Sequence, residues 1–347
     1  MKVLVTGGLG FIGSHTVVSL IENKYEVIIV DNLYNSKIDV LDRIEKITGV
    51  RPKFYKLDCS NSEEMDKLFS QEKIDSIINF AGYKAVGESV KKPLMYYENN
   101  LDICFALFKA MEKYNVKNFV FSSSATVYGL PDKVPLTEES PVKSATSPYG
   151  ETKVIIERIL KDMAFVHKDW NIAILRYFNP IGAHKSALLG EDPNGIPNNL
   201  LPYINKVAVG ELKELKVYGN DYPTPDGTGI RDYIHVVDLA RGHVLALKKL
   251  ETNPSLVIYN LGTGKGTSVL EVIKAYEKAT GIKIPFEFAP RRDGDVPENY
   301  ASTEKAEKEL GFKCQYSVED ACLDGYNFQK AETERVKNLI HKTAKTL

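Results

Sequence analysis

The chain has 347 residues, 43% hydrophobic and 26% charged, enough for about two domains or one large α/β unit with a buried core, and too apolar for a disordered tail. Its 45 basic and 46 acidic residues leave a formal net charge of −1, which excludes a general electrostatic pull toward nucleic acid or an anionic membrane. Cys59, Cys104, Cys314 and Cys322 form no Cys-x-x-Cys pair and have no histidine at zinc-ligand spacing, so neither a disulfide framework nor a metal site is expected.

Short β-branched apolar runs come first at Val3–Val5 and Val27–Val30, then at Phe54–Leu57, Ile77–Phe80, Phe119–Phe121 and Ile172–Leu175. Helical spacing covers Phe11–Glu22, Ser62–Phe69, Tyr97–Tyr114 and Tyr149–Phe165 between them. Short strands alternating with helices read as a parallel sheet buried on both faces, and such sheets bind ligands outside the carboxyl ends of their strands. From about residue 180 the pattern changes: Pro193, Pro197, Pro202, Pro223 and Pro225 fall among frequent glycines, and the periodic segments shorten. The expected architecture is α/β, with a Rossmann-type doubly wound parallel sheet over residues 1–180 and a smaller mixed α/β region over 181–347, chain segments crossing between the two. A helix at Val269–Ala279 follows the turn at Gly262–Gly264, and the basic tail beyond Ala331 reads as a solvated helix. No apolar run reaches the roughly 18 residues of a membrane span. No leader with a cleavage site is recognisable either, so the chain reads as soluble and cytoplasmic.

The first chemical signal is the turn after the first run, Gly7-Gly8-Leu9-Gly10-Phe11-Ile12-Gly13. Glycine lets the backbone turn tightly and approach a pyrophosphate, whose charge the amides of a helix N-terminus stabilise. Gly7 or Gly8, followed by Gly10 and Gly13, fits a dinucleotide fingerprint, although the pattern alone suits an ordinary turn equally well. Asp31 closes the second run about 20 residues on, where a carboxylate accepts from both ribose hydroxyls and repels a 2′-phosphate. With no base before Lys37, NAD is expected rather than NADP.

Tyr149 and Lys153 stand four apart on one face of a predicted helix, so the ammonium can lower the phenol's pKa toward that of a useful base. The chain holds one other Tyr-x-x-x-Lys pair, Tyr326 and Lys330, and chance alone supplies about two such pairs. Context favours Tyr149: its helix lies downstream of a strand ending in Ser122-Ser123-Ser124. Hydride chemistry on an alcohol needs that set, a base for the hydroxyl proton and a donor that holds the oxygen. In the second half Asn179, Asn199, Arg231, Arg292 and Asp295 suit diphosphate oxygens and sugar hydroxyls, though each taken singly is more often part of a surface ion pair.

With these residues in place, the chain resembles the nucleotide-sugar 4-epimerases of the extended short-chain dehydrogenase/reductase family. The likeness runs from Met1 to about Asp320 and includes Asn79–Ser89, Lys117–Gly129, Gly195–Leu200, Gly219–Thr224 and Ala289–Asp295. The resemblance implies a redox-neutral inversion at C4 of UDP-hexoses, interconverting UDP-glucose and UDP-galactose through a transient 4-keto sugar, with NAD held throughout. It implies Tyr149 as the base, Lys153 as the group that lowers its pKa and binds the nicotinamide ribose, and Ser124 as the partner of the sugar oxygen. For NAD it implies, beyond Gly7, Gly10, Gly13 and Asp31, positions Phe11, Ile12, Asn32, Asn35, Ser36, Asp58, Phe80, Ala81, Lys84, Asn99, Tyr149, Lys153, Tyr177 and Phe178. For the UDP-sugar it implies Ser124, Tyr149, Asn179, Asn199, Leu200, Val217, Tyr218, Arg231, Arg292, Asp295 and Asn299.

Asn299 falls where the family places a residue that limits the sugar pocket. Members with Tyr there are implied to favour plain hexoses, and those with a smaller residue to accept N-acetylated ones as well. Asn299 therefore predicts turnover of UDP-N-acetylglucosamine and UDP-N-acetylgalactosamine too. The resemblance also implies a homodimer paired through helices at Tyr97–Tyr114 and Tyr149–Phe165. Two rivals are weaker. A nucleotide-sugar 4,6-dehydratase needs an acid and a base beside the serine, where this chain has Ala125 and Thr126. A non-catalytic NAD sensor would be free to lose Ser124, Tyr149 or Lys153, and all three are present.

Overall fold

The computed structural model describes residues 1–346 apart from Asn194 and Asp293. The first half contains β1 (Lys2–Thr6), α1 (Phe11–Glu22), β2 (Glu26–Val30), α2 (Asp39–Thr48), β3 (Lys53–Tyr55), α3 (Ser62–Gln71), β4 (Ser76–Asn79), α4 (Val86–Lys91), α5 (Pro93–Tyr114), β5 (Asn118–Ser124), α6 (Pro148–Val166) and β6 (Asn171–Tyr177). The second half adds β7 (Asn179–Ile181), α7 (Leu200–Ala208), β8 (Leu215–Tyr218), β9 (Ile230–Arg231), β10 (Tyr233–His235), α8 (Val236–Leu250), β11 (Leu256–Leu261), β12 (Thr267–Ser268), α9 (Val269–Thr280), β13 (Phe286–Ala289), β14 (Glu298–Asn299), α10 (Glu304–Leu310) and α11 (Val318–Thr346).

A 7-stranded parallel sheet runs in the order β11-β6-β5-β4-β1-β2-β3. Side chains alternate across each strand, and here both faces are apolar. Val3, Val5, Val27, Ile29, Val120 and Leu175 share one core with Val17 and Leu20 of α1 and Leu239 and Leu247 of α8. Leu4, Ile28, Ile77, Phe119, Phe121 and Ile174 share the other with Leu68 of α3, Leu107 of α5 and Ile156 and Leu160 of α6. The strand order reverses between β1 and β4, and the crevice opening there at the carboxyl ends is where a ligand of such a sheet sits.

The segment Val236–Leu261 of the second half returns to the first sheet: β11 pairs with β6, and α8 covers the face beside α1. Beyond that segment, Ala306 of α10 and Phe312 also join the first core, while α7, α9 and α11 build a separate one around the parallel pair β8 and β13, with Leu201, Ile204, Val217, Tyr276 and Ala321 buried. Short ribbons join it to the sheet mouth: β10 with β7, and β9 between β12 and β14.

Predicted and observed bounds differ for physical reasons. The apolar run at Phe119–Phe121 is the core of a longer strand that ends, as expected, in the three serines, because register with β6 as far as Tyr177 overrides the weak strand preference of serine. Both long helices begin earlier than expected, with Pro93 and Pro148 in their first turns, where a missing N–H costs nothing. The strand at Phe54 stops at Tyr55 on the sheet edge.

One buried interaction ties helix α6 to the sheet. Glu157 and Arg176, each side chain 1% exposed, form a forked pair, Nη2 to Oε2 at 2.7 Å and Nε to Oε1 at 3.0 Å, and Ser123 Oγ donates to Oε1 at 2.6 Å. Arg176 also donates to the Tyr128 hydroxyl at 3.0 Å, which donates to Asn260 Oδ1 at 2.6 Å, so β5, β6, β11 and α6 share one polar network. Arg176→Ala is expected to lower stability by about 3 to 5 kcal/mol in denaturant titrations, because it strands a buried carboxylate. A Glu157→Leu/Arg176→Met double replacement should cost less than either single change; additive losses would contradict this.

Candidate active site

The turn from β1 into α1 is shaped by contacts only glycine permits. Gly7 has φ 67°, and a Cβ there would lie 2.9 Å from the Ala81 nitrogen; one on Gly13 would lie 2.2 Å from the Gly7 carbonyl oxygen. Gly10 caps α1 with no side-chain bond and no acidic residue in the first turn, so the positive end of the helix at Phe11 and Ile12 faces the crevice unneutralised. Asp31, buried just past β2, accepts from Leu9 N at 3.1 Å, Leu33 N at 2.9 Å and Ser36 Oγ at 2.7 Å. A carboxylate has about four acceptor sites, so Asp31 both pins the turn and retains capacity for a ribose hydroxyl. The uncapped helix end and this carboxylate fit a dinucleotide.

Around the crevice, Asp58 closes the turn after β3 by accepting from Ser60 N at 2.9 Å and Ser60 Oγ at 2.7 Å. Asn32 and Asn35 are exposed on the loop after β2, and Asn99 donates to Asn100 Oδ1 at 3.0 Å. Phe80 and Tyr177 both pack on buried His243, the Tyr177 hydroxyl 2.8 Å from its Nε2. Phe178 joins a separate cluster with Ala125, Tyr128 and Ala301.

Ser124, Tyr149 and Lys153 meet at the end of β5. Ser147 caps α6 by accepting from Gly150 N at 3.2 Å, and Pro148 starts the helix, which puts Tyr149 in its first turn. Burial pushes the Tyr149 phenol up to about 12, and its hydrogen bond with Ser124 offsets only part of that. Lys153 Nζ donates to the Ser122 carbonyl at 2.7 Å and lies 5.7 Å from the centre of the Tyr149 ring. Burial pushes Lys153 down to about 8, with Glu157 among the groups that oppose the fall. Burial is thus the largest influence on the Tyr149 phenol, and it acts against the lowering expected from the spacing.

The second-half residues converge from distant stretches. Asp295 receives Arg292 Nε at 2.9 Å and lies 3.8 Å from Arg231 Nη2, and the Arg292 guanidinium sits 5.0 Å from the centre of the exposed Tyr218 ring. Asn299 is in register with Arg231, and its buried Oδ1 has no hydrogen-bond partner. Asn179 N donates to the Asp232 carbonyl at 2.9 Å, which brings it beside the same ribbon. The segment after Asn299 passes the loop that follows Ser124, Leu136 N donating to the Tyr300 carbonyl at 2.9 Å. Asn199 opens α7 and donates to Glu191 at 2.7 Å; Leu200 follows it, and Val217 is buried in β8. Asp232 consumes Thr263 N and Gly264 N at 2.7 and 3.1 Å, so the Gly262–Gly264 turn is structural.

Glu157 and Glu191 went unread in the sequence, and Arg176 is marked only by its place at the end of a strand. Tyr149, Lys153 and Glu157 repeat every four residues along α6, which is a usable signal for Glu157; Glu191 has no local one. Among the described residues no group of three or more His, Cys, Asp or Glu could hold a metal ion, and no described helix is long and apolar enough to cross a membrane.

The sheet, the glycine turn and the strand-end hydroxyl, phenol and lysine define a dinucleotide-dependent enzyme of Rossmann type. The chain belongs to the NAD dependent epimerase/dehydratase family, which matches residues 3–262. The UDP-glucose 4-epimerase of Bacillus subtilis (strain 168) is 53% identical over 338 residues, 97% of this chain and 99% of that one. The structure of UDP-glucose-4-epimerase from Stenotrophomonas maltophila, with bound NAD and formylated UDP-arabinopyranose, has a TM-score of 0.94 at 48% identity, covering 96% of this chain and 99% of that one. That of UDP-glucose 4-epimerase from Bifidobacterium longum, in complex with NAD+ and UDP, has a TM-score of 0.92 at 54% identity, covering 95% and 98%.

Lys153 also makes a stability prediction. Its folded pKa of about 8 lies below the ordinary 10.5, so between those values the unfolded chain binds more protons and stability rises with pH. Below pH 8 the full burial penalty is present. Lys153→Met is expected to gain about 1 to 3 kcal/mol at pH 7 and less at pH 9.5 in denaturant titrations. An equal gain at both pH values would contradict the assigned shift.

Proposed function

We propose that this enzyme inverts C4 of UDP-hexoses, interconverting UDP-glucose and UDP-galactose through a transient 4-keto sugar. The observation that carries the reading is the meeting of Ser124, Tyr149 and Lys153 at one strand end, in a chain whose second half gathers Arg231, Asp295 and Arg292 into one cluster. NAD, when bound, supplies the hydride chemistry at C4, and the reaction is redox-neutral overall. Residues 1–180, with the returning segment 236–261, form the NAD side, where Gly7, Gly10, Gly13 and Asp31 hold the dinucleotide. The remainder forms the UDP-sugar side.

Tyr149 takes the proton of the 4-hydroxyl as the C–H bond at C4 breaks, and gives it back when the opposite epimer forms. Ser124 donates to the sugar oxygen and keeps it in line with the phenol. A phenol at about 12 is too basic to ionise near neutrality. Lys153, still mostly charged at pH 7, and the positive end of α6 act in the direction that lowers it, and a bound cationic nicotinamide would add to the same effect. Arg231 and Arg292 grip the diphosphate, so the hexose alone turns to present its other face.

Asn299 supports a wider substrate range. Its side chain is smaller than tyrosine, and its buried Oδ1 lacks a partner, which suits the N–H of an N-acetyl group. The exposed Leu94 and Phe105 on α5 support a homodimer packed through that helix and α6.

Purified protein incubated with UDP-galactose should yield UDP-glucose by NMR without net NADH. Tyr149→Phe should reduce kcat by about a hundred-fold or more; a 4-keto-6-deoxy product from the parent chain would contradict the reading. Asn299→Tyr should remove turnover of UDP-N-acetylgalactosamine while sparing UDP-galactose, and equal loss on both would contradict the pocket assignment.

A further inference from the structure

We propose that Glu191 is a positioning residue that sets Asn199 and Lys84 together, so that one buried carboxylate orients a group on the UDP-sugar side and a group on the NAD side. The proposal rests on the epimerase reading above for the roles of those two partners. Glu191, 9% exposed, lies between β7 and α7, and its Oε1 accepts from Asn199 Nδ2 at 2.7 Å and from Lys84 Nζ at 3.3 Å. Lys84 follows β4, one of the two strands flanking the switch point, whereas Asn199 heads a helix of the second half.

Two features argue against an incidental ion pair. Asparagine at a helix N-cap ordinarily turns its oxygen onto the first amides of the helix, but Asn199 makes no such bond and turns its amide onto Glu191 instead. A carboxylate can only accept, so Glu191 fixes which end of the Asn199 amide it meets, and the Asn199 oxygen is left as an acceptor for a hydroxyl donor. The neighbouring residue repeats the link: Asp192 pairs with Lys37 on the loop after β2. Residues 191 and 192 thereby attach the second half to two loops of the cofactor crevice.

The test compares the parent chain with Glu191→Ala, Glu191→Gln, Asn199→Ala and the Glu191→Ala/Asn199→Ala double variant. KM and kcat are measured for UDP-galactose with excess NAD, and the Kd of NAD is measured by calorimetry. Glu191→Ala should raise KM by about ten-fold with kcat within about two-fold, and raise the Kd of NAD several-fold. Glu191→Gln keeps an acceptor for Asn199 but loses the charge facing Lys84, so it should restore much of the KM and little of the NAD affinity. The double variant should have the KM of Asn199→Ala alone. Unchanged KM and NAD Kd in Glu191→Ala, or additive effects in the double variant, would overturn the proposal. A parent chain that binds NAD but is inert on UDP-galactose would overturn the epimerase reading, and the NAD affinities would still decide whether Glu191 positions Lys84.

Discussion

Glu157 and Arg176 are taken out of water together, and the placement of Tyr149 and Lys153 on α6 depends on that pair. Two buried charges are tolerated only with good geometry and satisfied neighbours. Here the forked contact, the Ser123 hydroxyl and the Tyr128 hydroxyl meet that condition. Because Glu157 lies on the same face of α6 as Lys153 and Tyr149, fixing one turn of the helix against β5 and β6 fixes the two turns above it. The charge of Glu157 also opposes the loss of the Lys153 proton that burial favours. An apolar contact could hold the helix, but it would supply neither the angular definition of a forked bond nor the field at Lys153.

The first sheet was largely legible in the sequence because its signals are local. Apolar runs of strand length, a glycine turn and a strand-end aspartate each lie within a few residues of one another, and α1 has the predicted bounds, Phe11–Glu22. What could not be read is non-local. The strand ending at Leu261 is visible beside its turn, yet nothing near it says that it completes the first sheet next to β6. Arg176 stands at a strand end and Glu157 on a helix with no local mark of their pairing; only the crossing of α6 over the sheet buries both. Arg231 and Asp295 sit 3.8 Å apart through the ribbon of β9 and β14, a pairing that residue types suggested and spacing could not. The burial that raises the Tyr149 phenol is equally non-local, since a helical i, i+4 rule carries no information about desolvation.

The halves divide the work along physical lines. The sheet side offers backbone amides, a helix end and one carboxylate, all set by tightly packed β-strands. The other side offers the exposed Arg292 and the part-buried Arg231, whose guanidinium groups suit the oxygens of a diphosphate. On the function proposed above, a hexose anchored through its diphosphate and met by one rigid strand end shows either face of C4 to the same hydroxyl and phenol, which is the geometric requirement for inversion without a second base.

That claim is tested most directly with UDP-galactose carrying deuterium at C4, incubated in ordinary water and followed by NMR. If C4 loses and regains its own hydrogen as hydride within one site, the UDP-glucose formed keeps the deuterium at C4. Loss of the label to solvent would mean that the carbon is inverted by proton exchange, and the account of Ser124, Tyr149 and Lys153 given above would be wrong.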